Sequence, residues 1–181
     1  MSIPNLITLA RILLVPVVVW AIATGAMHVA FLLFLVAAIS DGVDGFLAKR
    51  FDMKTDLGAY LDPLADKVMI VSIYVTLAST GTIPLWIVIL VVSRDIMIVG
   101  AIILSWLVGN PIAIKPHMVS KVNTAAQIVY AALVLALYGY GFDAEPLLTL
   151  VMVLVAVLTL LSVAFYVADW VRHMNSAEAG R

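Results

Sequence analysis

Asp41, Asp44, Asp62 and Asp66, in the segment SDGVDGFLAKRFDMKTDLGAYLDPLADK from Ser40 to Lys67, are the residues whose type and spacing can do chemistry. Asp41 and Asp44 are three apart, and Asp62 and Asp66 are four apart. On helices, each spacing puts its two carboxylates on one face, a turn apart. If the first pair closes one helix and the second opens the next, the pairs face each other across an antiparallel hairpin. Four ionised carboxylates beside apolar runs repel one another, and each loses hydration. Cations relieve both problems. With no Cys in the chain and no His nearby, hard oxygen donors suit Mg2+, Mn2+ or Ca2+ rather than zinc. Four carboxylates are enough for one or two ions. Gly45 and Gly58 let a bulky ligand come close, and Lys49 and Arg50 stand where a phosphate can be met. A single Asp pair at a helix end is more often a cap or a solvated loop residue, and a membrane-helix Gly is usually packing. Solvation does not account for Asp41 and Asp66 lying in or beside apolar runs.

The elements that must hold these residues follow from composition. Of 181 residues, 65% are hydrophobic and 12% charged, with a mean hydropathy of +1.17. A water-soluble domain of this size needs more polar surface; a bilayer solvates the excess. At about 20 apolar residues per span, the length accommodates about six spans. The runs lie at about 5–24, 28–49, 57–79, 84–107, 119–140 and 146–171. The expected fold is therefore all-α: an integral membrane bundle of six transmembrane helices, one domain over 1–181. The apolar start lacks a basic flank and a small-residue cleavage site, so it reads as a first span rather than a signal peptide. A net charge of -1 points to no nucleic-acid partner. Lys49, Arg50, Lys54, Lys115, Arg172 and Arg181 follow the even-numbered runs, whereas the loops near Gly25, Gly81 and Asp143 carry no Lys or Arg. The positive-inside rule then places both termini and the aspartates on the cytoplasmic side, in the plasma (inner) membrane of a bacterial cell.

From Asp41 the pattern reads Asp-x2-Asp-Gly-x2-Ala-Lys-x8-Gly-x3-Asp-x3-Asp, ending at Asp66. This long, fixed spacing resembles the signature of the CDP-alcohol phosphatidyltransferases, integral membrane enzymes of phospholipid synthesis. The family pattern has Arg after the Ala, where this chain has Lys49 followed by Arg50. The resemblance implies that Asp41, Asp44, Asp62 and Asp66 hold divalent metal, Mg2+ or Mn2+ and two ions in number, with Asp66 as general base. It implies a diphosphate-linked donor, CDP-diacylglycerol, whose nucleotide pocket involves Asp44, Gly45, Ala48, Lys49, Gly58 and Asp62. The element Pro-Asn-x2-Thr-x2-Arg near the start resembles the family's amino-terminal motif and adds Asn5 and Thr8 to that pocket. A homodimer is also implied.

The acceptor site is read from the remaining polar residues: Arg94 inside the fourth run, and Lys121 and Asn123 at the start of the fifth. A membrane-embedded Arg needs a partner. Either Arg94 pairs structurally with Asp95 or another Asp, or it helps form a pocket for the acceptor's phosphate. Phosphatidylglycerol-phosphate synthases bind glycerol 3-phosphate, and their pattern carries a second Arg where this chain has Ile102. The stretches VSRDIMIVGA and VSKVNTAAQ are closer to the eukaryotic-type, CMP-forming cardiolipin synthase branch, whose acceptor is phosphatidylglycerol. That lipid is the expected acceptor, with glycerol 3-phosphate as the alternative. Two other classes compete. A cation transporter would need polar residues along a whole transmembrane route, but the charges gather in one half. A metal-stabilised structural subunit leaves Arg94 and Lys121 unexplained.

Overall fold

The computed structural model describes residues 3–50, 56–107 and 118–179; within these, the side chains of 3–5, 43–50, 56–63, 102, 105–106 and 173–179 lie outside the description. Among the described residues there are six helices and no strand: α1 (Ile3–Ala23), α2 (Met27–Arg50), α3 (Asp56–Ser79), α4 (Leu85–Leu107), α5 (Met118–Tyr140) and α6 (Glu145–Ala179). Five agree with the hydropathy runs to within a residue or two. The sixth continues well past 171, because an apolar run marks where a bilayer crossing ends, whereas VRHMNSAEA still favours a helix. Leu6–Ala23, Met118–Tyr140 and Glu145–Arg172 are each long and apolar enough to cross a membrane. The chain is an all-helical bundle of membrane type.

Residues 1–85 and 131–145 form one compact unit; residues 86–130 and 146–181 form a second. In the first unit, α1 packs against both α2 and α3. Its buried stripe runs Thr8, Arg11, Val15, Val18, Ala21 and Ile22, the three-to-four-residue step of one helix face. This stripe is polar at its start and apolar at its end. The buried face of α5 likewise passes from Ser120, Asn123 and Gln127 to Ala131, Val134 and Leu135. α6 passes the other way, from Val155 to Thr159 and Ser162.

Three of the connections are short, and each is closed by a glycine. Gly25, Gly81 and Gly141 have φ of 77°, 75° and 70°, the left-handed region that a Cβ disfavours. In the α1–α2 turn, Gly25 N donates to Ile22 O at 3.0 Å and Ala26 N to Ala21 O at 2.8 Å, the paired bonds of a Schellman stop. The α3–α4 turn repeats this with Gly81 N to Ala78 O at 3.0 Å and Thr82 N to Leu77 O at 2.9 Å. Another glycine allows close packing. A Cβ on Gly139 would lie 2.6 Å from the backbone nitrogen of His28, so the end of α5 meets the start of α2 backbone to backbone.

Candidate active site

Asp41 lies in α2 and Asp66 in α3, and Arg11 of α1 joins them. Its Nη1 donates to Asp66 Oδ1 at 2.5 Å and to Asp41 Oδ1 at still shorter range. Two carboxylate oxygens on one nitrogen lie within about 5 Å of each other. At an effective dielectric of about 20, like charges this close repel by about 3 kcal/mol, less where solvent screens them. The guanidinium between them offsets that cost. Its side chain is 3% exposed, whereas those of Asp41 and Asp66 are 42% and 49% exposed. The carboxylates are therefore held from the buried side and open on the other.

The expectation that acidic groups from two helices converge is met by Asp41 and Asp66. Asp44 follows Asp41 by three residues in α2, and Asp62 precedes Asp66 by four in α3, but both side chains lie outside the described residues. The same holds for Asn5, Gly45, Ala48, Lys49 and Gly58. Thr8 is fully buried, one turn before Arg11 on the same stripe. Among the described residues no set of three His or acidic side chains gathers around one point. What is visible fits a hard cation: two oxygen donors, convergent from separate helices, half-exposed, and already holding positive charge between them.

The second unit has its own buried arginine. Arg94 Nη1 donates to Asp95 Oδ1 at 2.7 Å, Nε and Nη2 reach Ser162 Oγ at 3.1 and 3.0 Å, and Nη2 also donates to Ser120 Oγ. Its guanidinium lies 5.7 Å from the centroid of the Tyr166 ring, within cation–π range. Of the three expected acceptor residues, Lys121 is exposed, and Asn123 faces the other way into the unit, where Thr159 Oγ1 is 3.0 Å from its Oδ1. Thr159 has one proton for two acceptors, since the Val155 carbonyl is 2.7 Å away. Asn123 Nδ2 is buried without a hydrogen-bond partner among the described residues. The structure thus brings Arg94 to Ser120 and Ser162, and Asn123 to Thr159.

Sequence reasoning did not assign Arg11, Ser120, Thr159 or Ser162. The signal for Arg11 was present: a lone cation in an otherwise apolar first helix must find counter-charge. For the hydroxyls no comparable signal exists, because Ser and Thr in a membrane helix usually bond to their own backbone, as Thr76 does to Ser72 O at 2.7 Å.

Comparison with known proteins agrees with this architecture. The profile described as CDP-alcohol phosphatidyltransferase matches residues 1–168. The chain belongs to the CDP-alcohol phosphatidyltransferase family. It is 35% identical over 151 residues to the rat protein named cardiolipin synthase (CMP-forming), covering 75% of this chain and 50% of the rat protein. It is 32% identical over 157 residues to the Bacillus subtilis protein named CDP-diacylglycerol--glycerol-3-phosphate 3-phosphatidyltransferase, covering 78% and 80% of the two chains. A Mycobacterium tuberculosis protein named probable phosphatidylglycerophosphate synthase is 34% identical over 181 residues, 96% of this chain and 84% of the other. The chain spans about half the length of the rat and human cardiolipin synthases it matches.

Proposed function

We propose that this chain transfers a phosphatidyl group from CDP-diacylglycerol to a lipid alcohol and releases CMP, with phosphatidylglycerol as acceptor and cardiolipin as product. The observation that carries the reading is the meeting of Asp41 and Asp66, the first and last members of the family-type motif, at one point between three helices. Members of this family generally work with divalent cations. Asp41, Asp44, Asp62 and Asp66 would hold Mg2+ or Mn2+, two ions in all. Such ions neutralise charge on the diphosphate and on the departing CMP. Asn5, Thr8, Asp44, Gly45, Ala48, Lys49, Gly58 and Asp62 are assigned to the nucleotide by their match to the family motif.

Asp66 acts on the open side of the pair, where its carboxylate takes the proton of the acceptor hydroxyl. The hydroxyl oxygen forms a bond to the lipid-bearing phosphorus as the bond from that phosphorus to CMP breaks. CMP leaves with its phosphate, and the proton is passed on to solvent through the exposed face of Asp66. Arg94, Lys121 and Asn123 are assigned to the acceptor. Because Asp95 already neutralises Arg94, the pair carries no net charge, which suits the single negative charge of a phosphodiester better than a phosphate dianion.

One observation favours a second acceptor. The Mycobacterium relative aligns along nearly the whole chain, and the name it carries is that of a phosphatidylglycerophosphate synthase, which supports glycerol 3-phosphate. The two readings part in one assay. Purified protein with Mn2+ or Mg2+ and CDP-diacylglycerol is given either phosphatidylglycerol or glycerol 3-phosphate, and CMP and the lipid product are measured. Cardiolipin formed only with phosphatidylglycerol supports the reading. Product only from glycerol 3-phosphate replaces the acceptor, and no CMP with either removes the activity. The continuous family match through both units supports a single domain, and the charge bias of the loops supports cytoplasmic termini in a bacterial plasma membrane. A homodimer completes the proposal.

A further inference from the structure

Arg11 stands where a cation shared by Asp41 and Asp66 would stand. Its Nη1 contacts Oδ1 of both carboxylates, which brings one oxygen of each to the same point. An ion coordinated by both of them sits about 2.1 Å from each. That position overlaps the space Nη1 fills, and two cations do not share it. Nor is the arginine incidental. An Arg in the apolar stripe of α1 is expensive in a membrane protein unless it is paired. Here one guanidinium meets carboxylates 30 and 55 residues away, on two different helices.

We propose that Arg11 is a built-in counter-ion for the metal site. It holds Asp41 and Asp66 together before metal arrives, and gives up its contact when a divalent ion binds between them. Metal loading is then an exchange of one cation for another, and Arg11 weakens apparent metal affinity while keeping the metal-free site assembled. The inference rests on the assignment of Asp41 and Asp66 as metal ligands. In this role Arg11 is a positioning residue rather than a catalytic one.

Two properties follow together. Replacing Arg11 with a neutral side chain leaves the two carboxylates repelling each other in the metal-free protein, so that form melts lower. The same change removes the competitor, so metal binds more tightly, by about tenfold if the lost contact is worth about 1.4 kcal/mol. A merely structural arginine gives the first effect without the second. Lysine keeps the charge but not the fork, so Arg11→Lys stays near the wild-type affinity.

The test uses full-length protein in detergent and follows Mn2+ by electron paramagnetic resonance, with the melting temperature read at each metal concentration. Wild type, Arg11→Met, Arg11→Lys and Asp41→Asn are compared. The expected result is tighter Mn2+ binding and a larger metal-induced rise in melting temperature for Arg11→Met, with Arg11→Lys near wild type and Asp41→Asn weakened. Wild type that binds Mn2+ while Arg11→Met binds it equally or more weakly overturns the counter-ion and spares the metal site. Binding unaffected by Asp41→Asn, or absent in wild type, overturns the metal assignment and the counter-ion with it. If Arg11→Met does not fold, Arg11→Lys decides alone: affinity reduced tenfold or more contradicts displacement, and affinity near wild type upholds it.

Discussion

Two buried arginines, one in each compact unit, solve the same problem in different ways. Arg11 and Arg94 are both 3% exposed, and both sit on otherwise apolar helices. Arg94 is enclosed: its acidic partner Asp95 is only 13% exposed, and two serine hydroxyls take its other donors. Arg11 holds two carboxylates that are nearly half open to solvent. An enclosed arginine is already answered by a carboxylate and two hydroxyls, so it offers an acceptor a neutral pair rather than a free charge. A buried cation beneath open carboxylates leaves a face on which a ligand can act.

The largest effect that tests this contrast is at the open carboxylates. Asp66→Asn is expected to lower CMP release on the order of 10^3-fold, while its melting temperature changes little. Substantial activity in that variant would move the chemistry elsewhere. Next comes the enclosed arginine. Arg94→Met leaves Asp95 buried without its cation and is expected to cost about 3 kcal/mol, read as a lower melting temperature in detergent. Loss of acceptor binding beyond what the stability change explains supports the assignment of Arg94 to the acceptor, and unchanged acceptor binding in the folded variant removes it. Gly139→Ala, which must push α5 away from His28, is expected to cost about 2 kcal/mol. Thr159→Val removes the hydroxyl beside Asn123 and should cost about 1 kcal/mol, with no change in metal affinity.

How much was legible in the sequence follows the range of the forces involved. Helices were readable because a bilayer demands runs of fixed length, and five of the six helices match their runs at both ends to within a residue or two. α6 outlasts its apolar run because apolarity stops being informative once the chain leaves lipid; the run at 146–171 itself agrees with the membrane-length stretch Glu145–Arg172. Convergence of Asp41 and Asp66 was readable because each pair obeys a local helical spacing and like charges need a shared cation. The identity of the nearest cation was not. Arg11 is far away in sequence, and no spacing rule links α1 to positions in α2 and α3. For Arg94, an ion pair with Asp95 was one of two readings. Its serine partners were hidden, since hydroxyls leave no hydropathy signature.

The contact at Gly139 has a mechanical consequence. With no side chain between them, the last turn of α5 bears directly on the backbone of α2 at its first turn. Asp41 lies 13 residues beyond His28, about 20 Å at 1.5 Å per residue. A tilt of only about 3° about that contact swings the carboxylate by about 1 Å. A side chain forced in at position 139 is therefore felt at the acidic end of α2 as well as at the contact itself.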